Sequence, residues 1–156
     1  MRVKVLFVCL GNICRSPTAE AVFTHFVKEA QLSDSFTIDS AGTIDYHVGE
    51  HPDTRAIEKA LEYGYEMHHL IARQICQQDF EVFDYIVAMD FNNQKKLLSL
   101  CPTPYKHKIS LLLDYADAVD TQEVPDPYYS TEKGFDTVLE LIEQGARGLL
   151  DAILKR

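Results

Sequence analysis

The chain carries a cysteine and an arginine, with five residues between them, in a segment where both could act on a phosphate group. Cys9 follows the apolar run Val3–Val8, and Arg15 precedes Ser16 and Pro17. A cysteine thiolate is a nucleophile, and the planar fork of an arginine guanidinium matches two phosphate oxygens. Because such a pair also occurs by chance, its meaning depends on the backbone between the two residues.

Gly11 and Asn12 give that backbone the capacity to bind an anion. Both residue types accept positive φ angles, which turn successive N–H groups toward one point. The helix expected after the segment adds the partial positive charge of its N-terminus. We therefore expect a loop that binds an oxyanion and favours the thiolate of Cys9. The alternative is a buried strand-end cysteine beside an exposed arginine. The segment contains neither GxxxxGK[ST] nor GxGxxG, the two nucleotide-binding fingerprints.

The surrounding pattern predicts strands that alternate with helices. The apolar runs Val3–Val8 and Tyr85–Met89 indicate buried strands, and Phe36–Asp39 and Lys108–Leu113 indicate two weaker ones. Alternation through one short chain predicts an α/β fold: a single domain over residues 1–156 with a parallel, four-stranded sheet and helices on both faces. Ligands of such sheets bind at the carboxyl ends of the strands, where Cys9 lies.

Three segments have helical periodicity. The first begins with Ser16 as the predicted N-cap and Pro17 as the first helical residue, and its apolar stripe covers residues 19–30. The second runs from Pro52 to Tyr63 and ends at a glycine. The third carries apolar residues from Phe135 to Ile153, a pattern typical of a helix that packs on a sheet.

Charge and cysteine content restrict the class of protein. Lys and Arg number 15 against 24 Asp and Glu, and the net charge of −9 disfavours nucleic acids and anionic membranes as partners. A small anion remains a possible ligand, because a local pocket can be positive on a negative protein. No apolar segment reaches the roughly 18–20 residues of a membrane span. The four cysteines form no CxxC pair, so we expect a reduced, cytoplasmic protein without a metal site or cofactor.

A second candidate for catalysis is Asp126, which lies between Pro125 and Pro127. The two prolines restrict the backbone around the carboxyl group and so stiffen its loop. A carboxyl group held near Cys9 could protonate a leaving group and later activate water. From the residues alone, a solvated turn aspartate is an equally good interpretation.

Residues 8–17, Val-Cys-Leu-Gly-Asn-Ile-Cys-Arg-Ser-Pro, resemble the signature of the low-molecular-weight protein tyrosine phosphatases. Residues 19–21, 39–42 and 126–129 match the same family in the same order, so the resemblance covers essentially the whole chain. It implies a Rossmann-like fold of the phosphotyrosine phosphatase I type. It also implies hydrolysis of phosphotyrosine and small aryl phosphates through a phosphocysteine intermediate. The implied partners are phosphotyrosine-containing proteins or peptides, with inorganic phosphate or similar oxyanions as product-site ligands.

The resemblance assigns the nucleophile to Cys9, phosphate binding to Arg15 and general acid and base catalysis to Asp126. Ser16 would donate a hydrogen bond to the thiolate. The rest of the phosphate-binding loop is then Leu10, Gly11, Asn12, Ile13 and Cys14.

The resemblance also assigns supporting residues. Ser40 would hold the strained backbone of Asn12, and Tyr46 would face Tyr128 and Tyr129 across the pocket as an aromatic wall. The family often has a histidine that supports the loop asparagine, but His69 lies one residue further than usual from the Ala-Arg-Gln segment.

Cys14 matches the family's redox partner of the nucleophile, which traps the oxidised cysteine as a reversible disulfide.

Three other functions share parts of this pattern. Thiol-coupled arsenate reductases relay through two further cysteines on one segment, whereas Cys76 and Cys101 lie far apart in the sequence. Protein arginine phosphatases typically carry threonine where Ile13 stands and lack the double tyrosine. A non-catalytic phosphotyrosine-binding module would need neither Cys9 nor Asp126.

Overall fold

The computed structural model describes residues 2–156. These residues form one parallel sheet of four strands, β1 (Val3–Cys9), β2 (Phe36–Gly42), β3 (Tyr85–Ala88) and β4 (Ile109–Leu111), in the order β2-β1-β3-β4. The same residues form five α-helices, α1 (Arg15–Glu29), α2 (Thr54–Glu62), α3 (Gln77–Val82), α4 (Phe91–Leu100) and α5 (Glu132–Lys155). Three short 3₁₀ helices cover Ser33–Ser35, Thr103–Lys108 and Leu112–Tyr115.

Strand β1 lies inside the sheet and is buried on both faces. Val5 and Phe7 point into the core formed with α1, α2 and α5, whereas Leu6 and Val8 point into the core formed with α3 and α4. A strand covered on both faces has a continuous apolar sequence rather than an alternating one. The predicted parallel sheet with helices on both faces is therefore confirmed.

Strand β2 is longer than the sequence indicated. It continues past Asp39 to Gly42, and its last residue pairs with Cys9 at the end of β1. In this extension Ser40 accepts a hydrogen bond from Asn12 of the loop after β1, whereas Ala41 packs in the core that contains Leu6 and Val8. Strand β4 is shorter than predicted, since the chain turns into a 3₁₀ helix at Leu112.

The predicted start of α1 is wrong. The helix begins at Arg15, its N-cap is Cys14, and no side chain caps it. Ser16 is the second helical residue, and its hydroxyl contacts Cys9, Asn12 and the Ala41 carbonyl rather than an N–H group of the helix. The first-turn N–H groups of a helix have no partner within the helix, so this uncapped end remains available to an anion.

The other two predicted helices are confirmed. Helix α2 is followed by Gly64 at a φ of 91°, the left-handed conformation that glycine supplies after a helix. Helix α5 buries Phe135, Ile142 and Ile153 in the core that it shares with α1, α2 and the 3₁₀ helix Leu112–Tyr115. Across residues 2–156, no helix combines the length and the apolar character needed to cross a lipid bilayer.

Candidate active site

The loop after β1 forms the floor of a pocket at the carboxyl edge of the sheet. The pocket has a volume of about 270 Å³. It is lined by Cys9, Leu10, Gly11, Ile13, Cys14, Arg15, Ile44, Tyr46, His47, Asp126, Tyr128 and Tyr129. The structure thus brings together residues that lie more than a hundred positions apart in the sequence. Asn12, Ser16 and Ser40 do not line the pocket; all three are buried beneath its floor.

The Cys9 sulfur lies among hydrogen-bond donors. The backbone N–H of Asn12 donates to Sγ at 3.3 Å, and the Ser16 hydroxyl lies 3.0 Å from Sγ. Because the Asn12 side-chain amide donates to Ser16 Oγ at 2.7 Å, the hydroxyl proton of Ser16 is left for another acceptor, either the Cys9 sulfur or the more distant Ala41 carbonyl at 3.4 Å. Hydrogen bonds to the charged form of a group stabilise that form, so this arrangement favours a thiolate.

Asn12 has a φ of 59° and is held from three sides. The backbone N–H of Arg73 donates to its Oδ1 at 3.0 Å, while its Nδ2 donates to Ser40 Oγ at 2.9 Å and to Ser16 Oγ. A residue with positive φ persists where its surroundings over-determine it. His69 is exposed and makes no hydrogen bond to Asn12 in the described part of the chain, where the Arg73 backbone donates instead.

Glycine is required beside the loop for close packing. Of the two loop residues that accept positive φ, Asn12 adopts it and Gly11 does not, within residues 2–156. A Cβ at Gly11 would instead lie 3.0 Å from the His47 ring. Gly42, which the sequence analysis did not identify, is more constrained, because a Cβ there would lie 2.8 Å from the backbone oxygen of Leu10.

Arg15 is only 2% exposed and is fixed in position. Its Nη1 donates to Asp90 Oδ2 at 2.6 Å and to the Val124 carbonyl at 3.0 Å, and its Nη2 lies 3.7 Å from Asp126 Oδ2. Burial acts to lower the pKa of Arg15, but the negative charges of Cys9, Asp90 and Asp126 raise it above its ordinary value. The guanidinium therefore stays charged although it is buried.

Asp90 orients Arg15, and we expect Asp90→Asn to lower kcat/KM about tenfold. The amide would still cap α4 by accepting from the Asn93 N–H, but its NH₂ group would oppose the guanidinium. A hydrogen bond to a charged group contributes about 1.5–3 kcal/mol. Steady-state kinetics on an aryl phosphate measures the effect.

The matched control for this prediction is Asp84→Asn. That carboxylate accepts from the Lys4 backbone N–H at the opposite end of the sheet, at 2.9 Å. An equal loss in both variants would contradict a specific role for Asp90.

Asp126 lies at the pocket rim with a half-exposed side chain. Its Oδ1 accepts from the backbone N–H of Tyr128 at 3.1 Å, which leaves Oδ2 facing Arg15 and the pocket. The geometry thus places a carboxyl group where it could exchange a proton with a ligand bound above Cys9.

The aromatic side chains that line the pocket are exposed, so a ligand can contact their rings. Tyr46 is 77% exposed and Tyr129 is 96% exposed, whereas Tyr128 is 38% exposed. His47, which the sequence analysis did not identify, lies between the walls, with its ring 4.7 Å from Tyr46 and 6.3 Å from Tyr128. Its Nδ1 lies 3.2 Å from the carboxylate of Glu50.

The four cysteines are free thiols. Burial, followed by the charges of Asp53 and Cys9, raises the pKa of Cys14 above its usual range, so Cys14 is a neutral thiol beside Cys9. Cys76 and Cys101 do not line the pocket. Within residues 2–156, no three or more His, Cys, Asp or Glu side chains are grouped so that they could hold a metal ion.

A cysteine sulfur surrounded by hydrogen-bond donors, with a buried arginine and a carboxyl group at the same pocket, is the arrangement of a cysteine-dependent phosphomonoesterase. Comparison with known proteins narrows that class to one family. The model of the low molecular weight phosphotyrosine protein phosphatases matches residues 4–156, and the chain belongs to this family.

Individual relatives are similar to this chain in sequence and in structure over nearly the whole length of both proteins. The chain is 41% identical over 153 residues to the low molecular weight protein-tyrosine-phosphatase YfkJ of Bacillus subtilis, with 98% of this chain and 97% of the relative covered. A protein tyrosine phosphatase of Entamoeba histolytica, crystallised with Hepes in its active site, superimposes with a TM-score of 0.96 at 43% identity, covering 98% and 97% of the two chains. A Drosophila arginine phosphatase superimposes with a TM-score of 0.90 at 35% identity, covering 97% and 98%.

Proposed function

We propose that this protein hydrolyses phosphotyrosine in proteins or peptides, with Cys9 as the nucleophile, Arg15 as the phosphate-binding residue and Asp126 as the general acid and base. The observation that carries the proposal is the single pocket shared by these three side chains, with the Cys9 sulfur at its floor. Family membership supports the same reaction.

The first half of the reaction transfers the phosphoryl group to sulfur. The substrate phosphate binds against the loop N–H groups, the N-terminus of α1 and Arg15, and these groups stabilise the charge on the equatorial oxygens. The Cys9 thiolate attacks phosphorus in line. As the bond to the tyrosine oxygen breaks, Asp126 donates its proton to that oxygen, and tyrosine leaves. The negative charge of the bound phosphate favours the protonated form of Asp126 that this step requires.

The second half releases phosphate. Asp126, now ionised, takes a proton from a water molecule, and the water oxygen attacks the phosphorus of phosphocysteine. The sulfur–phosphorus bond breaks and the Cys9 thiolate is restored. Because Arg15 and the thiolate donors are held by buried partners, little reorganisation accompanies either step.

Phosphotyrosine suits the pocket because its ring can stack on Tyr46, Tyr128 or Tyr129 while its phosphate reaches the loop. A phosphoserine side chain is shorter and has no ring to stack. Binding of Hepes, a sulfonate, in the active site of the Entamoeba relative supports oxyanions as ligands of such a loop.

Phosphoarginine is the second candidate substrate, because a Drosophila arginine phosphatase is a structural neighbour. Ile13 and the consecutive pair Tyr128 and Tyr129 favour phosphotyrosine as the substrate. The resembling arginine phosphatases typically have threonine at the position of Ile13 and lack the pair of tyrosines. Arsenate reduction is less well supported, because neither Cys76 nor Cys101 lines the pocket.

The test is hydrolysis of para-nitrophenyl phosphate with and without EDTA, followed by rates on phosphotyrosine and phosphoarginine peptides and on arsenate with a thiol. We expect hydrolysis that EDTA leaves unchanged, and a higher kcat/KM on phosphotyrosine than on phosphoarginine. A preference for phosphoarginine, or turnover of arsenate alone, would overturn the substrate assignment.

Peroxide is expected to inactivate the enzyme reversibly through Cys14. Hydrogen peroxide oxidises the Cys9 thiolate to a sulfenic acid, and the Cys14 sulfur then displaces water to form a Cys9–Cys14 disulfide. Oxidation of Cys9 removes its negative charge, which is one cause of the raised pKa of Cys14, so the Cys14 thiol becomes easier to ionise.

The measurement is the activity recovered with dithiothreitol after a peroxide pulse. Wild type recovers nearly fully, whereas Cys14→Ser recovers only a minor fraction because its sulfenic acid proceeds to sulfinic acid. Cys101→Ser, another buried cysteine, is the control and should behave as wild type. Complete recovery of Cys14→Ser would refute the protective role.

We further propose that one catalytic domain spans residues 1–156 and works in the cytoplasm. The family match over residues 4–156 supports the first statement. A reducing compartment suits a catalytic thiol, and the four free cysteines agree with it.

A further inference from the structure

A carboxyl group behind the phosphate-binding loop is connected to the nucleophile by a chain of hydrogen bonds. Glu20, on α1, accepts from Ser40 Oγ at 2.7 Å, and Ser40 accepts from Asn12 Nδ2 at 2.9 Å. The same Asn12 amide donates to Ser16 at 2.7 Å, and Ser16 lies 3.0 Å from the Cys9 sulfur. Four hydrogen bonds therefore separate Glu20 from Cys9.

The direction of each hydrogen bond follows from the donors available. The Arg73 backbone N–H can only donate, so the atom of Asn12 that it contacts is the amide oxygen. Both hydrogens of the Asn12 NH₂ group are then used on Ser40 and Ser16. Each hydroxyl keeps one hydrogen. Ser40 donates its hydrogen to Glu20, and Ser16 has two acceptors within reach, the Cys9 sulfur at 3.0 Å and the Ala41 carbonyl at 3.4 Å, of which the sulfur is the nearer.

The charge of Glu20 is sensitive to pH near neutrality. Burial raises the pKa of Glu20 from its ordinary 4.5 to about 7, while the Ser40 hydrogen bond opposes this rise. Asp39 adds to the increase and Arg73 opposes it. The titratable groups Glu66 and His69 line the same surface groove as Glu20.

We propose that Glu20 is a positioning residue for the phosphatase reaction, whose ionised carboxylate fixes the Ser40–Asn12–Ser16 hydrogen bonds that hold the loop and direct the Ser16 hydroxyl to Cys9. This inference rests on the proposed function. It adds a dependence of activity on the charge of Glu20, because the loop is fully ordered for turnover when Glu20 is ionised.

Protonation of Glu20 weakens the series of hydrogen bonds from Glu20 to Cys9. A carboxylate only accepts, so it orients the single hydroxyl hydrogen of Ser40 and leaves the Ser40 lone pairs to Asn12. A protonated Glu20 carries a hydrogen of its own, which competes with Asn12 for the Ser40 oxygen. The bond between Ser40 and Glu20 also loses its charge assistance. Asn12, whose φ is positive, is then held less tightly.

The experiment compares Glu20→Gln with wild type from about pH 5 to about pH 8, as a ratio of kcat values on para-nitrophenyl phosphate. Taking a ratio cancels the titration of the substrate and of the catalytic groups, which the two proteins share. We expect a ratio near one at the acidic end, where wild-type Glu20 is itself neutral. The ratio should fall about tenfold toward the alkaline end, the size of a lost charge-assisted hydrogen bond. The rate of Cys9 alkylation by iodoacetamide, which needs no phosphatase activity, should show the same pH-dependent difference.

Glu66→Gln is the matched control, because Glu66 faces the same groove and should give a flat ratio. Ser40→Ala interrupts the chain at its next member, so adding Glu20→Gln to Ser40→Ala should change nothing further. A pH-independent ratio for Glu20→Gln, in kinetics and alkylation alike, would overturn the inference. If the proposed function itself is wrong, Cys9→Ser will hydrolyse para-nitrophenyl phosphate as fast as wild type. If Cys9→Ser is inactive but the Glu20→Gln to wild-type ratio of kcat does not change with pH, only the role of Glu20 is refuted.

Thermal stability separates positioning from a merely structural role. Because the folded-state pKa of Glu20 lies above its ordinary value, ionisation of Glu20 destabilises the fold as pH rises from about 4.5 to about 7. Glu20→Gln removes this cost, so its Tm should equal that of wild type at the acidic end and exceed it at the alkaline end, where its kcat is lower. A structural residue would instead lose Tm and kcat together.

Discussion

Replacing Cys9 with serine is expected to abolish turnover of an aryl phosphate while oxyanion binding persists. A serine hydroxyl in this position is not ionised, so no nucleophile attacks phosphorus, and kcat should fall by at least about 10⁴-fold. The phosphate-binding groups are unchanged, because Arg15 is held by Asp90 and Val124 rather than by Cys9. Steady-state kinetics and calorimetric titration with inorganic phosphate measure the two properties separately.

Cys101→Ser is the control for this substitution. Cys101 is another buried thiol, in the core on the opposite face of the sheet, and its replacement should leave kcat unchanged. Retention of full activity by Cys9→Ser would exclude a covalent mechanism at this residue. Loss of phosphate binding together with turnover would indicate that the substitution disturbs the loop rather than the chemistry.

Asp126→Asn is expected to lower kcat by about 10²–10⁴-fold, because an amide cannot supply the proton that the leaving oxygen needs. The loss should depend on the substrate. A 4-nitrophenolate leaves readily without a proton, whereas an unsubstituted phenolate is more basic and requires one. We therefore expect a larger loss on phenyl phosphate than on para-nitrophenyl phosphate.

Asp120→Asn is the matched control for Asp126→Asn, since Asp120 is an exposed carboxylate on the same connection between β4 and α5. Its kcat should equal that of wild type on both substrates. If Asp126→Asn reduces both rates by the same factor, Asp126 acts on binding or loop geometry and is not the general acid.

The strands and the phosphate-binding loop were predictable because they depend on local sequence. An apolar run such as Val3–Val8 is typical of a strand buried in a parallel sheet. In the loop, glycine and asparagine are residue types that accept positive φ, and cysteine and arginine are residue types that can act on a phosphate group. The helix cap at Ser16 was predicted wrongly for a related reason. Serine is a good cap locally, but here its hydroxyl is engaged by the buried groups Asn12 and Cys9.

The residues that orient the site were harder to predict, because they meet the loop only through the sheet. Asp90 contacts Arg15 across 75 positions of sequence, and the available signal was its place directly after the predicted strand Tyr85–Met89. Gly42 lies at the loop because β2 extends beyond its apolar residues. Gly42 forms a β-bridge with Gln74, which brings the backbone of the neighbouring Arg73 to Asn12.

Helices α3 and α4 were not predicted. Helix α3 has six residues, and α4 buries only Asn93 and Leu97, so neither shows the apolar stripe from which a helix is inferred. His47 was overlooked because nothing in its neighbours indicates that its ring lies against Gly11 in the folded chain.

The central claim is that Cys9 carries the phosphoryl group during turnover. Rapid mixing of the enzyme with excess para-nitrophenyl phosphate, acid quenching, proteolysis and fragment-ion mass spectrometry test it directly. The expected result is one phosphoryl group on Cys9, on neither Cys14 nor Ser16, at a level that decays when substrate is exhausted. Product formation without any phosphorylated Cys9, under quench conditions that preserve a phosphocysteine standard, would contradict the mechanism.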